Sequence, residues 1–120
     1  MTNKAQIQKF YLEDGIRNAS ALKDLLHDDV LLEWSSSDGL LLLDKQAILD
    51  LANELKQNYT NSIVEITHLI EEDHKVVLKY NHKVATFENP SEIIPIARFI
   101  VIWEFLGDKL YKGYQISQPA

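Results

Sequence analysis

His82 is the side chain in this sequence with the clearest capacity for acid–base chemistry. It lies in the run Val76–Val84, in which apolar and polar residues largely alternate. Because alternate residues of a strand share one face, the imidazole would lie on an otherwise apolar face directed towards the interior. Imidazole titrates near neutral pH, so His82 could act as a general base with Tyr80 or Gln115 as hydrogen-bond donor. The alternative is a neutral core histidine, hydrogen-bonded to one of these residues or to a backbone carbonyl.

Aromatic residues on the same inner face would form a pocket around His82. The run Ile93–Phe105 also alternates and directs Phe99 and Trp103 inward, and Trp34 has an inward position in an earlier strand. Such rings could stack on a flat ligand or could fill the cavity themselves. The predicted catalytic residues are His82 and Tyr80, and the predicted ligand contacts are Trp34, Tyr59, Tyr80, His82, Phe99, Trp103, Tyr111 and Gln115.

A metal ion or other cofactor is not expected. The chain has no cysteine, which excludes disulfides and thiolate metal sites. The four histidines, His27, His68, His74 and His82, are spaced as in no zinc motif. His27 precedes two aspartates, and we expect it to end the second helix in solvent.

The charge of the chain argues against two classes of partner. There are 12 basic and 18 acidic residues, a net charge of −6, and the only arginines are Arg17 and Arg98. Nucleic acids and anionic membranes are bound through clustered basic side chains, so neither is expected here. The longest apolar runs, Leu40–Leu43 and Phe99–Trp103, are too short to span a bilayer, and no signal peptide is apparent near Met1. A cytoplasmic location is the expectation that follows.

The hydrophobic periodicity changes from helical to alternating at about Ser62. Helices come first, capped by Asn3, by Asn18 or Ser20, and by Asp44, and one hairpin turn at Asp38-Gly39 lies between them. Helices followed by a meander of strands predict one α+β domain over residues 1–120, with the N-terminal helices packed into a strongly curved antiparallel sheet around a pocket. The predicted strands are Val30–Trp34, Leu40–Leu43, Ile63–Ile70, Lys75–Glu88, Ile93–Phe105 and Leu110–Ser117.

The outer face of the predicted sheet is unusually apolar. Arg98, Ile100 and Ile102 lie opposite Trp103 in the alternation, and an exposed apolar patch usually marks an interface. We therefore expect a homodimer through this face, with Arg98 paired to an acid across it. The alternative is that Arg98 lies along the neighbouring loop with its guanidinium in solvent.

Three segments resemble one protein family. They are Leu22–Glu33, a short helix that ends in paired acids before a strand, Asp44–Ile48, the start of a long helix, and Trp103–Leu110, a closing hairpin. Their order resembles the nuclear transport factor 2-like superfamily, in particular its SnoaL-like branch, which includes polyketide cyclase-like and ketosteroid isomerase-like proteins. The resemblance implies a cone-shaped sheet, a cavity closed by the long helix and frequently a homodimer, but it implies no single reaction.

The family's isomerase residues are absent at the matching positions. The position of the general base holds Trp34, and the position of the acid that donates to the oxyanion holds Val101. The helix-borne tyrosine matches Phe10, one residue before Tyr11, and a cyclase-type acid would fall at Ser117 or Gln118. Steroid isomerisation by the family's mechanism is therefore not expected.

Three functions remain open from the sequence. The leading hypothesis is a small-molecule-binding protein with an aromatic-lined apolar pocket, which takes a small apolar or aromatic ligand and needs no cofactor. The second is a cofactor-free isomerase, cyclase or lyase with His82 as general base. The third is a homodimeric interaction module with a closed cavity.

Overall fold

The computed structural model describes residues 1–120, which form three α-helices and six strands. The helices are α1 (Asn3–Leu12), α2 (Ala19–Leu25) and α3 (Lys45–Asn58), and a 3₁₀ turn (Gly15–Arg17) joins the first two. The strands are β1 (Leu26–Ser36), β2 (Gly39–Leu43), β3 (Asn61–Glu72), β4 (Lys75–Ala85), β5 (Ile94–Leu106) and β6 (Lys109–Pro119). None of the helices is long and apolar enough to cross a membrane.

The strands form one open sheet in the order β2-β1-β6-β5-β4-β3. The α+β architecture predicted from the sequence is confirmed, but the sheet is mixed rather than antiparallel, because β1 and β6 pair in parallel. The reason is the connection through α3. This helix carries the chain from the β1–β2 hairpin across the inner face of the sheet to β3 at the far edge, and the meander then returns to β1 with β6 running in the same direction.

Side-chain caps begin all three helices. Asn18 and Asp44 cap α2 and α3 by accepting the backbone N–H groups of Ala21 and Ala47. The cap of α1 is Thr2 and not Asn3, and its hydroxyl accepts the N–H of Ala5 at 3.0 Å. Each cap satisfies one of the donors that a helix leaves free at its start.

The segment His27–Asp29 lies in β1 and not at the end of α2. The helix ends at Leu25, and Leu26 already pairs with Leu110 of β6. The ring of His27 is half-buried against Tyr111, with their centroids 5.0 Å apart. Pairing with the last strand therefore overrides the solvent-exposed end that the sequence predicts.

Two irregularities of the ladder change which side chains face inward. Between β4 and β5, His82 pairs with Ala97 and Lys83 with Pro95, so Ile96 is an extra residue on its strand. Between β5 and β6, Tyr111 is the extra residue. A bulge breaks the strict alternation of a strand. As a result Ile96, which strict alternation would place on the outer face with Arg98, lies at the inner cavity.

Candidate functional site

The helices and the inner face of the sheet enclose a cavity of about 330 Å³. The helices supply apolar side chains such as Ile48, Leu51 and Leu55 from α3 and Ile16 and Leu22 from the segment before β1. The sheet supplies the aromatic residues. Exposed residues of the β1–β2 turn, Ser37 and Asp38, lie at the rim. The volume is at the lower end of the range for small-molecule sites.

Most of the predicted ligand contacts lie around this cavity, but two do not. Those at the cavity are Trp34, Tyr80, His82, Phe99, Trp103 and Gln115. Tyr59 does not line the cavity, because α3 ends at Asn58. The backbone of Tyr59 is extended, so its side chain leaves the apolar face of the helix. Tyr111 does not line the cavity, because it is the bulged residue of β6 and packs against His27 instead.

A row of aromatic rings forms one wall of the cavity. Tyr80 and Phe99 pair across β4 and β5, and their rings are stacked, with centroids 4.9 Å apart and planes 9° apart. Tyr11 extends the row on one side, 5.2 Å from Tyr80, and Trp34 on the other, 6.2 Å from Phe99. Parallel rings at this separation lie face to face, so Tyr80 and Phe99 each cover one face of the other and the row is a packed aromatic wall.

Both indole N–H groups are engaged inside the protein. Trp34 Nε1 donates to Ser117 Oγ at 2.8 Å, and Trp103 Nε1 donates to Tyr11 Oη at 2.9 Å. Burial raises the pKa of the Tyr11 hydroxyl well above its usual range, so it stays protonated. The bonds hold the two rings in place and leave no indole N–H available to a ligand. Tyr11 was not predicted to take part in the site, because its partner Trp103 is 92 residues away in the chain.

His82 is hydrogen-bonded to Ser62 and not to the partners expected from the sequence. Its Nε2 atom is 2.7 Å from Ser62 Oγ on β3. Burial lowers the pKa of His82 to about 4, since the opposing effect of Asp14 is smaller and Arg17 adds to the lowering. The imidazole is therefore neutral at neutral pH. Ser62 was missed because it lies beside His82 only once β3 pairs with β4.

Three polar side chains face the cavity with hydrogen-bonding capacity to spare. Tyr80 Oη, the Gln115 amide and His82 Nδ1 make no hydrogen bond within the chain, although all three residues are buried. No fully buried polar side-chain atom lacks a partner. Each of these atoms is therefore reached by solvent, and the three residues line the cavity, where they can meet a ligand or water.

The inner part of the cavity carries no charge. Asp38, at the rim, is the one ionisable acid of the lining, and the lining has no lysine or arginine. Arg17 lies near His82, but its guanidinium is bound to Asp14 at 2.7 Å and to the carbonyl of Tyr59 at 2.8 Å. No group of three or more histidine or acidic side chains is arranged to hold a metal ion.

No protein-family model matches the chain, and no curated protein matches it in sequence. Solved structures do match its fold. IdmH, a candidate polyketide cyclase from Streptomyces antibioticus, superposes with a TM-score of 0.76 at 10% identity, over 98% of this chain and 92% of that one. The chain has the nuclear transport factor 2-like fold.

Two further solved structures are similar. A candidate SnoaL-like polyketide cyclase from Shewanella denitrificans OS-217 has a TM-score of 0.72 at 15% identity, with 95% of this chain and 89% of that one covered. A protein with a ketosteroid isomerase-like fold from Catenulispora acidiphila DSM 44928, solved with trimethylamine, has a TM-score of 0.70 at 13% identity, with 91% and 82% covered. The nuclear transport factor 2-like resemblance noted in the sequence is confirmed for the fold, and at these identities the match carries no activity.

Proposed function

We propose that this protein binds a small, uncharged and mainly apolar or aromatic molecule in the inner cavity. The observation that carries the proposal is the combination of open volume with the stacked Tyr80–Phe99 wall and unpartnered polar atoms at its edge. Small-molecule sites are typically apolar clefts with a few polar groups that orient the ligand. The structural neighbours include candidate polyketide cyclases, which is consistent with a site for a ligand in this fold.

The absence of charge in the inner cavity supports an uncharged ligand. A charged group moved from water into an apolar site loses its hydration and needs an opposite charge to compensate. The guanidinium of Arg17 is already paired with Asp14, so it does not supply an opposite charge to a ligand. Neutral donors and acceptors on Tyr80, His82 and Gln115 suit a ligand with one or two uncharged polar atoms.

Acid–base catalysis by His82 is the second candidate, and the environment of His82 disfavours it. A general base works best when its pKa is near the working pH. The pKa of His82 is lowered to about 4, and its hydrogen-bond partner is the hydroxyl of Ser62 rather than a carboxylate. The third candidate, a closed cavity, is disfavoured by the open volume beside Trp34 and Trp103.

The ligand proposal is tested with N-phenyl-1-naphthylamine, an uncharged probe that fluoresces strongly in apolar sites. Leu55→Trp fills the cavity from α3, whereas Glu54→Trp places the same ring on the exposed side of that helix. We expect the wild type and Glu54→Trp to bind the probe with the same affinity and Leu55→Trp to bind at least about tenfold more weakly. Equal binding by all three proteins would place the probe elsewhere and refute the proposal.

We also propose that the protein forms a homodimer through the outer face of the sheet. Ile100 pairs with Ile116 and Ile102 with Tyr114, and all four side chains are exposed. Arg98 borders this patch and makes no ion pair within the chain, so its charge is available to an acid of a second copy. An apolar centre with a charged border is the usual anatomy of an interface.

Light scattering after size-exclusion chromatography tests the dimer. Ile100→Lys puts a charge into the patch, and Leu12→Lys makes the same kind of change on an exposed leucine of α1. We expect a dimer for the wild type and Leu12→Lys and a monomer for Ile100→Lys. A monomeric wild type at high micromolar concentration would refute the proposal.

A further inference from the structure

Gln115 is a buried polar side chain of the inner face that has no hydrogen-bond partner. The residue is 9% exposed, and it lines the cavity from β6, in the middle of the sheet. No fully buried polar side-chain atom lacks a partner, so both Oε1 and Nε2 of this free amide are reached by solvent. A ligand that fills the cavity takes the place of this solvent and must then satisfy the amide itself.

The side chains beside Gln115 in the sheet do not satisfy its amide. Trp34 of β1 and Val101 of β5 pair with it, and the side chain of Val101 has no polar atom. The indole N–H of Trp34 already donates to Ser117 Oγ, at 2.8 Å. Gly113, two residues earlier on β6, has no side chain to offer. The cavity is therefore where the amide finds its hydrogen-bond partners.

A carboxamide presents one donor and one acceptor side by side. The C=O group accepts, the NH₂ group donates, and turning the amide over gives the same two groups in reversed order. This pair of groups does not depend on a tautomer or on a protonation state. Each group that a ligand buries without a partner weakens binding, so the ligand that binds best is one that pairs with both.

We infer that Gln115 selects uncharged ligands that carry a hydrogen-bond donor next to an acceptor, as in a lactam, with an otherwise apolar or aromatic body. This inference rests on the proposed binding function and names the class of ligand. The N–H of a lactam donates to Oε1 of Gln115 and its C=O accepts from Nε2, which satisfies the amide twice. A carboxylate or an ammonium group is disfavoured in the same place, because the inner cavity has no charge to compensate it.

Two isomeric compounds test this selectivity. 4-Methyl-2-quinolinone keeps its N–H group, whereas N-methyl-2-quinolinone has the same composition with the methyl group on the nitrogen. Competition with N-phenyl-1-naphthylamine gives the affinity of each isomer. We expect the wild type to bind the N–H isomer about tenfold more tightly than the N-methyl isomer.

Two substitutions on β6 show whether Gln115 is the cause of this preference. Gln115→Met removes both hydrogen-bonding groups at a similar side-chain length, and Gln118→Met makes the same change at an exposed position of the strand. We expect the preference for the N–H isomer to fall below about threefold in Gln115→Met and to stay near about tenfold in Gln118→Met. A general loss of folding would weaken both isomers alike and would not change their ratio.

The outcomes distinguish the two proposals. Equal affinity of the wild type for both isomers, failure of both to displace the bound probe, or an equal preference in the wild type and Gln115→Met would overturn the inference and leave the binding function in place. The wild-type ratio needs no variant, so it decides even where a substitution prevents folding. Failure of the wild type to bind N-phenyl-1-naphthylamine in the cavity would overturn the proposed function, and the ligand class with it.

Discussion

Trp103 lies directly against Gly113, with no space for a side chain between them. The two residues pair across β5 and β6, and a Cβ added at Gly113 would be 2.5 Å from the Trp103 ring and 2.7 Å from Leu32. Only glycine permits the indole to lie on the strand at this distance. The glycine therefore determines where Trp103 borders the cavity.

We expect Gly113→Ala to destabilise the protein by about 1–3 kcal/mol, because the added methyl group overpacks a closed contact. Urea unfolding measures the change in the free energy of unfolding. The matched control is the same substitution in a Trp103→Leu background, where the indole atoms that clash are gone. The cost of Gly113→Ala should be smaller there, and an equal cost in both backgrounds would show that contact with Trp103 is not its cause.

Tyr11→Phe removes the acceptor of the Trp103 indole N–H. A buried donor left without a partner costs about 1–3 kcal/mol, and we expect the free energy of unfolding to fall by that amount. Tyr59→Phe removes the same atom from a half-buried tyrosine whose hydrogen bond to Arg17 is made by the backbone carbonyl, and it should have almost no effect. If both variants lost the same stability, the hydrogen bond between Tyr11 and Trp103 would contribute nothing net.

The lowered pKa of His82 predicts a loss of stability in mild acid. In the unfolded chain the imidazole takes up a proton at about pH 6.5, whereas in the folded protein it does so only at about pH 4. The stability that the neutral His82 contributes is therefore fully present above pH 6.5. It is lost as the pH falls towards 4, because the unfolded state binds the proton first. The loss would reach up to about 3 kcal/mol.

Urea unfolding of the wild type and of His82→Gln at a series of pH values between 7 and 4 measures this loss. The difference between the two free-energy curves should change over this range, since glutamine does not titrate. Carboxylates with lowered pKa, such as Asp28 and Glu65, affect both proteins equally and cancel in the difference. A constant difference would show that His82 titrates normally in the folded state.

The inner faces of β4 and β5 were predictable because the alternation of a strand is a local property. Val76, Tyr80 and His82 are buried, as are Val101 and Trp103, and this is the pattern that the sequence indicates. The caps at Asn18 and Asp44 were predictable for the same reason, since the bond that each makes joins residues three apart.

The fold was also predictable, from the order of helices and strands along the sequence. The match to solved structures confirms the predicted nuclear transport factor 2-like fold. Tertiary structure decided the rest. The parallel pairing of β1 with β6 and the bulges at Ile96 and Tyr111 depend on which strands meet. The same holds for the bonds of His82 to Ser62 and of Trp103 to Tyr11, because these partners are 20 and 92 residues apart in the chain. Backbone periodicity indicates the face on which a side chain lies, but only the packed sheet determines which atom it meets there.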